Sequence, residues 1–467
     1  MGLVSRHGYA VTPRAEDAEI LVVNTCSFIE SARQESVDAI LEMAEHKKHG
    51  RARKLIVAGC LVERYRRQIQ AEIPEVDAVV GTNELEAILA ACAGSLAPPP
   101  PAGAAVLPPI LSPAASPQAA PLHPRPTAPY LYDHLTPRLL STPPHTAYLK
   151  IAEGCDHPCS FCVIPQFRGA FRSRRFESVI TEARQLAARG AREAILIGQD
   201  TTCYGQDLGL RDGLADLLAR LAEIEELDWV RALYFYPNKI TPRLLETIAA
   251  HPRLCKYLDM PLQHASPAVL KRMKRGGGGE IFLKLLERIR QTIPGVSLRT
   301  TFIVGFPGET EADFQYLMDF VAAAQFDWLG VFGYSDEENS RSHALDGKVD
   351  ARTIAARRHR LMAAQRKISR QRRRAMVGRC LPVMVEGPSE ETDLLWQGRL
   401  EGQAPEIDGK VLINDFGVDA TPPAVGRLAW VEITAAQDYD VVGRIVAAAR
   451  PDAAPMRELG AIAGVRA

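Results

Sequence analysis

Short apolar runs alternate with amphipathic segments along most of the chain. Near the N-terminus, EILVVNTC and KLIVAGC are rich in valine and isoleucine, and a segment with helical spacing of apolar residues follows each of them. This β-α-β-α order predicts a small α/β sheet domain over residues 1–93. Cys26 and Cys60 end the two predicted strands, at the edge where ligands bind in open α/β sheets.

Six further strand-like runs, separated by helical segments, lie within residues 145–378. They are TAYLKIA, EAILIG, VRALYFY, KYLDMPL, SLRTTFIVGF and DWLGVFGYS. Six β/α units predict a partial (β/α)6 TIM-like barrel of parallel strands. Over residues 379–450 the runs become short strands broken by Gly, Pro and Asp, which predicts a small β-barrel. The expected fold class is therefore α/β and multidomain.

Residues 94–144 differ from both neighbours in being rich in proline and alanine and poor in charge, which predicts an extended linker. A tail is expected at 451–467. The whole chain has 467 residues, and its 56 lysines and arginines balance 56 aspartates and glutamates, so net charge does not indicate a nucleic-acid or membrane binder. Neither a signal peptide nor a run of roughly 18 apolar residues is present, which favours a cytoplasmic protein without a membrane partner.

The stretch EGCDHPCSFCVIP places Cys155, Cys159 and Cys162 in one loop after the first predicted barrel strand. The chain has nine cysteines, too few and too clustered for a disulfide scaffold, so the loop indicates a metal site. One interpretation is a structural zinc site completed by His157. The other is a 4Fe–4S cluster with three irons bound to protein and the fourth open to a ligand. Gly305 and Gly308, after a later strand, would let a cofactor approach the backbone closely.

The three cysteines, with Phe161 before the last, resemble the pattern of the radical S-adenosylmethionine enzymes. The resemblance implies that S-adenosylmethionine chelates the open iron and that its reductive cleavage gives a 5'-deoxyadenosyl radical. Further contacts to S-adenosylmethionine are expected from strand ends on the barrel face. The residues expected there are Phe161, Gln199, Thr301 and Gly305.

Apart from the linker, the chain resembles the methylthiotransferases of this superfamily over nearly its full length, including a TRAM-like terminal β-barrel. This resemblance implies a second 4Fe–4S cluster on Cys26 and Cys60, with a role in sulfur insertion. It also implies two S-adenosylmethionine molecules per product, one as methyl donor and one as radical source. The sulfur and electron donors are not identified by the sequence.

The stretches SFIESARQESVDAI, YFYP, DMPLQHASPAVLKRMKRG and QAPEIDG resemble the RimO branch of the family, the third with His264 where tRNA enzymes usually have a small polar residue. Members of that branch add a methylthio group to the β-carbon of an aspartate in ribosomal protein S-twelve. The expected partner is therefore ribosomal protein S-twelve, either free or within the small ribosomal subunit. Residues 381–449 carry twelve acidic and four basic residues, a net charge of −8 that favours a basic protein over RNA. The alternatives are a MiaB-like tRNA adenosine methylthiotransferase and a non-catalytic, metal-bound RNA-binding protein.

Residues 352–379, in contrast, favour contact with RNA, because they contain eleven lysines and arginines and no carboxylate. We interpret this segment as a solvated helix that joins the barrel to the β-barrel. Contact with ribosomal RNA beside the target protein is the alternative.

The start of the chain carries a separate expectation. MGLVSRHGYAVTPRAEDAE is typical of the end of a helix, whereas the family opens with a strand that ends in a third cluster cysteine. The sequence thus favours a chain truncated at its start, with an incomplete auxiliary cluster.

Overall fold

Our computed structural model describes residues 1–94, 130–416 and 424–447. The predicted linker at 94–144 lies mostly outside these residues, and the predicted tail at 451–467 lies entirely outside them. The expected fold class, α/β and multidomain with a barrel and a terminal β-barrel, is confirmed. Among the described helices, none combines the length and the apolar character that a membrane span requires.

A three-stranded parallel sheet forms the core of the N-terminal domain. Its order is β1-β2-β3, and Thr25 at the end of β1 pairs in register with Gly59 at the end of β2. Because the buried positions of β2 are Leu55, Ile56 and Val57, helices cover both faces of that strand. The elements are α1 (Gly2–Arg6), a 3-10 turn (Ala15–Asp17), β1 (Ile20–Thr25), α2 (Glu30–His49), β2 (Lys54–Gly59), α3 (Cys60–Glu72), β3 (Ala78–Val80) and α4 (Ala87–Ala93).

Six parallel strands form the partial barrel, as predicted. They hydrogen-bond as two sets of three, and a single bridge between Val230 and Leu254 joins the sets. The strands are β4 (Thr146–Lys150), β7 (Glu193–Ile197), β8 (Trp229–Ala232), β9 (Tyr257–Asp259), β10 (Ser297–Val304) and β11 (Trp328–Gly333); a small antiparallel pair, β5 (Ala152–Glu153) and β6 (Arg172–Ser173), follows β4.

Amphipathic helices between the strands bury their apolar sides against the outside of the barrel in one large core. At the start of α11, Thr310 and Asp313 form a capping box that fixes the turn after β10. The helices are α5 (Ile164–Arg168), α6 (Phe176–Ala188), α7 (Gly213–Leu221), α8 (Pro242–Ala250), α9 (Pro267–Arg272), α10 (Gly279–Thr292), α11 (Glu311–Ala324) and α12 (Ala351–Arg374), with 3-10 turns at Gln206–Leu208 and Pro237–Lys239.

The C-terminal domain is a closed barrel of five strands in the order β12-β13-β14-β16-β15. Closure removes the unpaired edges that an open sheet of this size would have. The strands are β12 (Cys380–Pro388), β13 (Trp396–Leu400), β14 (Val411–Asp415), β15 (Leu428–Ala436) and β16 (Val441–Ala447).

This β-barrel is docked on the large barrel through a buried apolar cluster and a buried ion network. Met384 and Ala404 pack against Trp229 and Trp328 of the barrel strands. Beside them, Glu193 accepts hydrogen bonds from Arg231 Nε at 2.8 Å and from Arg399 Nη2 at 2.5 Å. Burial alone would raise the pKa of Glu193, but the two guanidinium groups lower it below its usual value. The charges at this interface are therefore balanced within the chain.

Candidate active site

The loop with the three cysteines lies at the carboxyl end of the first barrel strand, between β5 and α5. Gly154 opens it with a φ of +82°, and a Cβ there would lie 2.1 Å from the Ala170 carbonyl oxygen, so only glycine fits. Cys155 then donates its backbone N–H to the Gly169 carbonyl at 3.2 Å. The loop is thus anchored by its backbone, which leaves the thiols free to act as ligands.

Cys155, Cys159 and Cys162 are all half-buried and none forms a disulfide. Burial, with a smaller contribution from charge on Cys159, raises the pKa of the Cys155 thiol to about 11 and that of Cys162 to about 12. Thiols with raised pKa values lose their protons only when a strong positive charge stabilises the thiolates. A bound metal supplies that charge and displaces the protons. The donor set therefore fits a cationic metal centre.

The spacing of the sulfurs bears on which metal centre fits. In the part of the chain that the structure describes, one group of three metal-binding side chains has all its ligand atoms within 4.8 Å of one another, namely His157, Asp200 and Cys203, and the loop cysteines do not form such a group. A single zinc with Zn–S bonds of about 2.3 Å would hold its sulfurs within roughly 4 Å. The wider set of cysteines fits a polynuclear cluster better.

His157, the candidate fourth zinc ligand, is already engaged elsewhere. Its Nε2 lies 2.6 Å from Asp200 Oδ2, and its ring stacks on Tyr236 with centroids 3.7 Å apart and an angle of 8° between the planes. Cys203 lies beside the same carboxylate, and its burial raises the pKa of its thiol. These contacts favour a positioning role for His157 over the Cys3His zinc interpretation.

Cys26 and Cys60 lie together at the carboxyl edge of the N-terminal sheet, directly after β1 and β2. The N-terminal domain meets the large barrel at this edge, since Arg168 at the end of α5 donates Nη2 to Cys60 Sγ at 3.2 Å. Burial raises the pKa of Cys60, while the Arg168 cation opposes the rise. The two cysteine sites therefore face a common space.

A charged cluster, which was not predicted from the sequence, occupies the space between the two cysteine sites. Glu153, only 4% exposed, accepts a hydrogen bond from Gln199 Nε2 at 3.2 Å, pairs with Lys150 Nζ and lies 3.6 Å from Arg168 Nη1. Gln199 also accepts the Gly154 N–H at 2.8 Å, which ties the cluster to the loop. Burial and the neighbouring Arg168 and Arg172 lower the pKa of Lys150 to about 7.

The other residues expected to contact S-adenosylmethionine are spread around the barrel mouth. Phe161 packs against the main core from the cysteine loop, and Thr301 lies half-buried on β10 opposite Gly330 of β11. Gly305 has a φ of +76°, and a Cβ there would lie 2.2 Å from Ile354 of α12, so packing accounts for this glycine. The structure brings Gln199 next to the loop, and the roles of all four residues stay a prediction.

Comparison with known proteins now adds to this geometry. Residues 149–321 match the Radical SAM superfamily, residues 1–81 match an uncharacterized protein family, UPF0004, and residues 377–446 match the TRAM domain. The chain is 61% identical to the ribosomal protein uS12 methylthiotransferase RimO of Solibacter usitatus over 97% of this chain and 92% of that protein, and 58% identical to that of Koribacter versatilis over 96% and 92%. The chain belongs to the RimO family of radical S-adenosylmethionine methylthiotransferases.

A solved radical S-adenosylmethionine methyltransferase, TsrM from Kitasatospora setae, is 16% identical, with 68% of this chain and 61% of that chain covered and a TM-score of 0.48. As in other members of the RimO family, the cofactors are 4Fe–4S clusters and S-adenosylmethionine. In this chain Cys155, Cys159 and Cys162 would hold the radical cluster, and Cys26 and Cys60 would hold two irons of the auxiliary cluster.

His264, which helped to separate the RimO branch from tRNA enzymes, is fully buried. Its Nδ1 accepts the Ser266 N–H at 3.0 Å, and burial lowers its pKa to about 3. Its place in the core points to packing, so it does not contact a substrate directly.

The basic segment at 352–379 forms most of α12, and six of its eleven cations are paired within the chain. Four carboxylates of the barrel and the β-barrel offset part of its charge: Glu309, Glu311, Asp327 and Asp438 form ion pairs with Arg357, Arg360, Arg366, Arg370, Arg372 and Arg373. This pairing supports the interpretation of a joining helix and leaves less charge for RNA.

Proposed function

We propose that this protein adds a methylthio group to the β-carbon of an aspartate in ribosomal protein uS12. The observation that carries the proposal is the placement of two cysteine sites on either side of one space, with the Glu153 cluster between them. When bound, the clusters and S-adenosylmethionine supply a carbon-centred radical and the sulfur and methyl groups. The chain's own residues then have to hold the aspartate side chain in that space.

Three features of the chain support this task. The loop from Gly154 to Cys162 is fixed by its backbone and by Gln199, so the radical would form at a constant position. Glu337, in the segment after β11, accepts hydrogen bonds from Arg33 of α2 at 2.6 Å and Arg64 of α3 at 3.2 Å, which holds the N-terminal domain against the barrel mouth. Arg275, whose Nη1 lies 3.6 Å from Cys159 Sγ, places a cation beside the thiolates of the radical site.

The natural context of the reaction is also part of the proposal. We infer that uS12 is modified within the small ribosomal subunit, in the cytoplasm, where a reducing environment preserves iron–sulfur clusters. The acidic β-barrel would face the basic ribosomal protein, although one of its carboxylates, Glu386, pairs with the buried Arg399 at the docking interface.

Mass spectrometry after anaerobic reaction tests the function. Reconstituted enzyme would be incubated with S-adenosylmethionine, a reductant, sulfide and either uS12 or tRNA, and we expect one methylthio group on the aspartate of uS12 alone. Cys159→Ala should abolish cleavage of S-adenosylmethionine while circular dichroism stays unchanged, because the residue lies in a surface-facing loop. Modification of tRNA alone would replace the proposal by the tRNA alternative, and a colourless, zinc-containing protein would exclude the radical mechanism.

A further inference from the structure

Positive charge exceeds negative charge in the space between the two cysteine sites. Lys150, Arg168 and Arg172 gather around Glu153, and Arg172 Nη2 donates to the Arg168 carbonyl at 3.3 Å while its buried Nε has no hydrogen-bond partner. Glu153 can neutralise one of these three cations, and a Cys60 thiolate, whose sulfur accepts a hydrogen bond from Arg168, can neutralise a second. Because cations in a partly buried site repel one another, the cluster is completed most favourably by one further anion.

The cluster is open enough to receive a ligand from outside. The side chains of Lys150 and Arg168 are 21% and 32% exposed, whereas Glu153 is 6% exposed and lies beneath them. The Tyr132 ring, from the segment before β4, lies 5.0 Å from Lys150 Nζ and forms one wall. The cations thus face the opening, and their carboxylate partner lies behind them.

We propose that Lys150 and Arg168 bind the side-chain carboxylate of the substrate aspartate and make the enzyme select a carboxylate-bearing residue. This inference rests on the proposed function. In an aspartate the β-carbon is one bond from the carboxylate carbon, so a carboxylate held here leaves the carbon to be modified between Cys60 and the Cys155 loop. Lys150 and Arg168 are positioning residues in this scheme.

The carboxylate of S-adenosylmethionine is the competing occupant, and the arrangement of the cations favours the substrate. Arg168 contacts Cys60, on the side of the auxiliary site. A different cation, Arg275, lies over Tyr236 and has its Nη1 3.6 Å from Cys159 Sγ, on the side of the radical site. The auxiliary site thus has Arg168 and the radical site has Arg275, and Lys150 lies with Arg168.

Peptide binding to the reconstituted holoenzyme tests the inference. Two fluorescent uS12 peptides would be compared by anisotropy, one with the target aspartate and one with asparagine in its place. We expect the wild type to prefer the aspartate peptide, and Lys150→Met to weaken its binding roughly 10- to 100-fold without affecting the asparagine peptide, the range for loss of a charged hydrogen bond. Lys150→Arg should restore most of the preference.

Matched controls separate recognition from folding. Lys284→Met, an exposed lysine on α10, should leave both peptides and circular dichroism unchanged. Binding of S-adenosylmethionine, measured by equilibrium dialysis, should be equal in wild type and Lys150→Met. Equal weakening of both peptides by Lys150→Met, or weaker S-adenosylmethionine binding with intact peptide preference, would overturn the inference.

Two outcomes distinguish this inference from the proposed function. A wild-type enzyme that modifies uS12 while Lys150→Met keeps the preference for aspartate would refute only the role of Lys150. A wild type that neither binds nor modifies either peptide, but binds a tRNA stem-loop in a Lys150-dependent manner, would refute both and assign the cations to phosphate.

Discussion

The large barrel meets its two neighbouring domains through interfaces of opposite character. Against the β-barrel, Glu193 lies between Arg231 and Arg399 with no exposure, and aromatic rings pack beside it. Against the N-terminal domain, the contacts are mainly polar and include Glu337 with two arginines, Arg168 with Cys60, and Thr82 with the Phe167 carbonyl. The interface with the β-barrel pairs its charges within the chain. The interface with the N-terminal domain leaves three cations around one carboxylate.

This difference indicates which interface serves the chemistry. A buried network with balanced charge has no capacity for a ligand, and its value lies in fixing one arrangement of the domains. A partly exposed network with surplus charge costs stability in the free enzyme and regains it when an anion binds. Function is therefore expected at the less satisfied interface.

The largest effect should come from breaking the balanced interface. Glu193→Gln would leave the buried Arg231 without its countercharge and Arg399 with Glu386 alone, and we expect a loss of about 3 to 5 kcal/mol in the free energy of unfolding. Urea unfolding followed by tryptophan fluorescence measures it, because Trp229 and Trp328 lie in this interface. Glu280→Gln, at an exposed site on α10, is the control and should change nothing; an unchanged midpoint for Glu193→Gln would show that the network is dispensable.

A smaller effect is expected at the other interface. Glu337→Gln removes the countercharge of Arg33 and Arg64, but local opening lets both arginines regain water, so we expect a loss of about 1 to 3 kcal/mol. Hydrogen exchange should rise in α2 and α3 and stay constant in the β-barrel. Faster exchange in the β-barrel as well would mean that the two interfaces are coupled.

His264 offers a pH test within the barrel itself, away from both interfaces. Its folded pKa of about 3 lies below the unfolded value, so the unfolded chain takes up the proton first and stability falls as the pH drops below about 6.5. Between pH 7 and pH 5.5 this residue should cost about 1 kcal/mol. His264→Gln should remove this contribution and leave the opposite one of Glu309, which lies 3.7 Å from His264 Nε2 and whose pKa is raised to about 7 by burial; an unchanged slope would assign the pH dependence to other groups.

The smallest effect is expected where exposed charges meet. Asp438 pairs with Arg370 and Arg366 on the surface of α12, where solvent screens the pairs. Asp438→Asn should leave the urea midpoint and the activity unchanged. A marked loss would show that α12 contributes to docking through its surface charges as well as its buried ones.

The sequence was informative where local pattern decides the structure. All six barrel strands and the five β-barrel strands follow from apolar runs of four to nine residues, since burial on both faces or alternation leaves a clear pattern. The cysteine loop was found because its ligands lie within eight positions of one another. The third strand of the N-terminal sheet, Ala78–Val80, was not predicted, because its three residues are not part of a longer apolar run such as KYLDMPL around Tyr257–Asp259.

Long-range charge pairing was beyond the sequence. Glu153, Lys150 and Arg168 come from β5, β4 and α5, and only the fold shows that they meet. The same limit affected both charge arguments: Glu386 of the acidic β-barrel pairs with the buried Arg399, and Asp327 of the barrel pairs with Arg372 of the basic helix. Part of each predicted charged surface is therefore internal, because charge runs read from sequence do not reveal their partners.

The unequal interfaces set a rule for building chimaeric enzymes from this family. An N-terminal domain from a relative can be exchanged if it carries arginines for the one carboxylate of Glu337. A foreign terminal β-barrel would have to bring equivalents of Arg399, and also of Asp408, which accepts a hydrogen bond from Tyr257 at 2.7 Å. Exchange of the N-terminal domain is thus expected to succeed, whereas exchange of the terminal β-barrel is expected to yield insoluble protein.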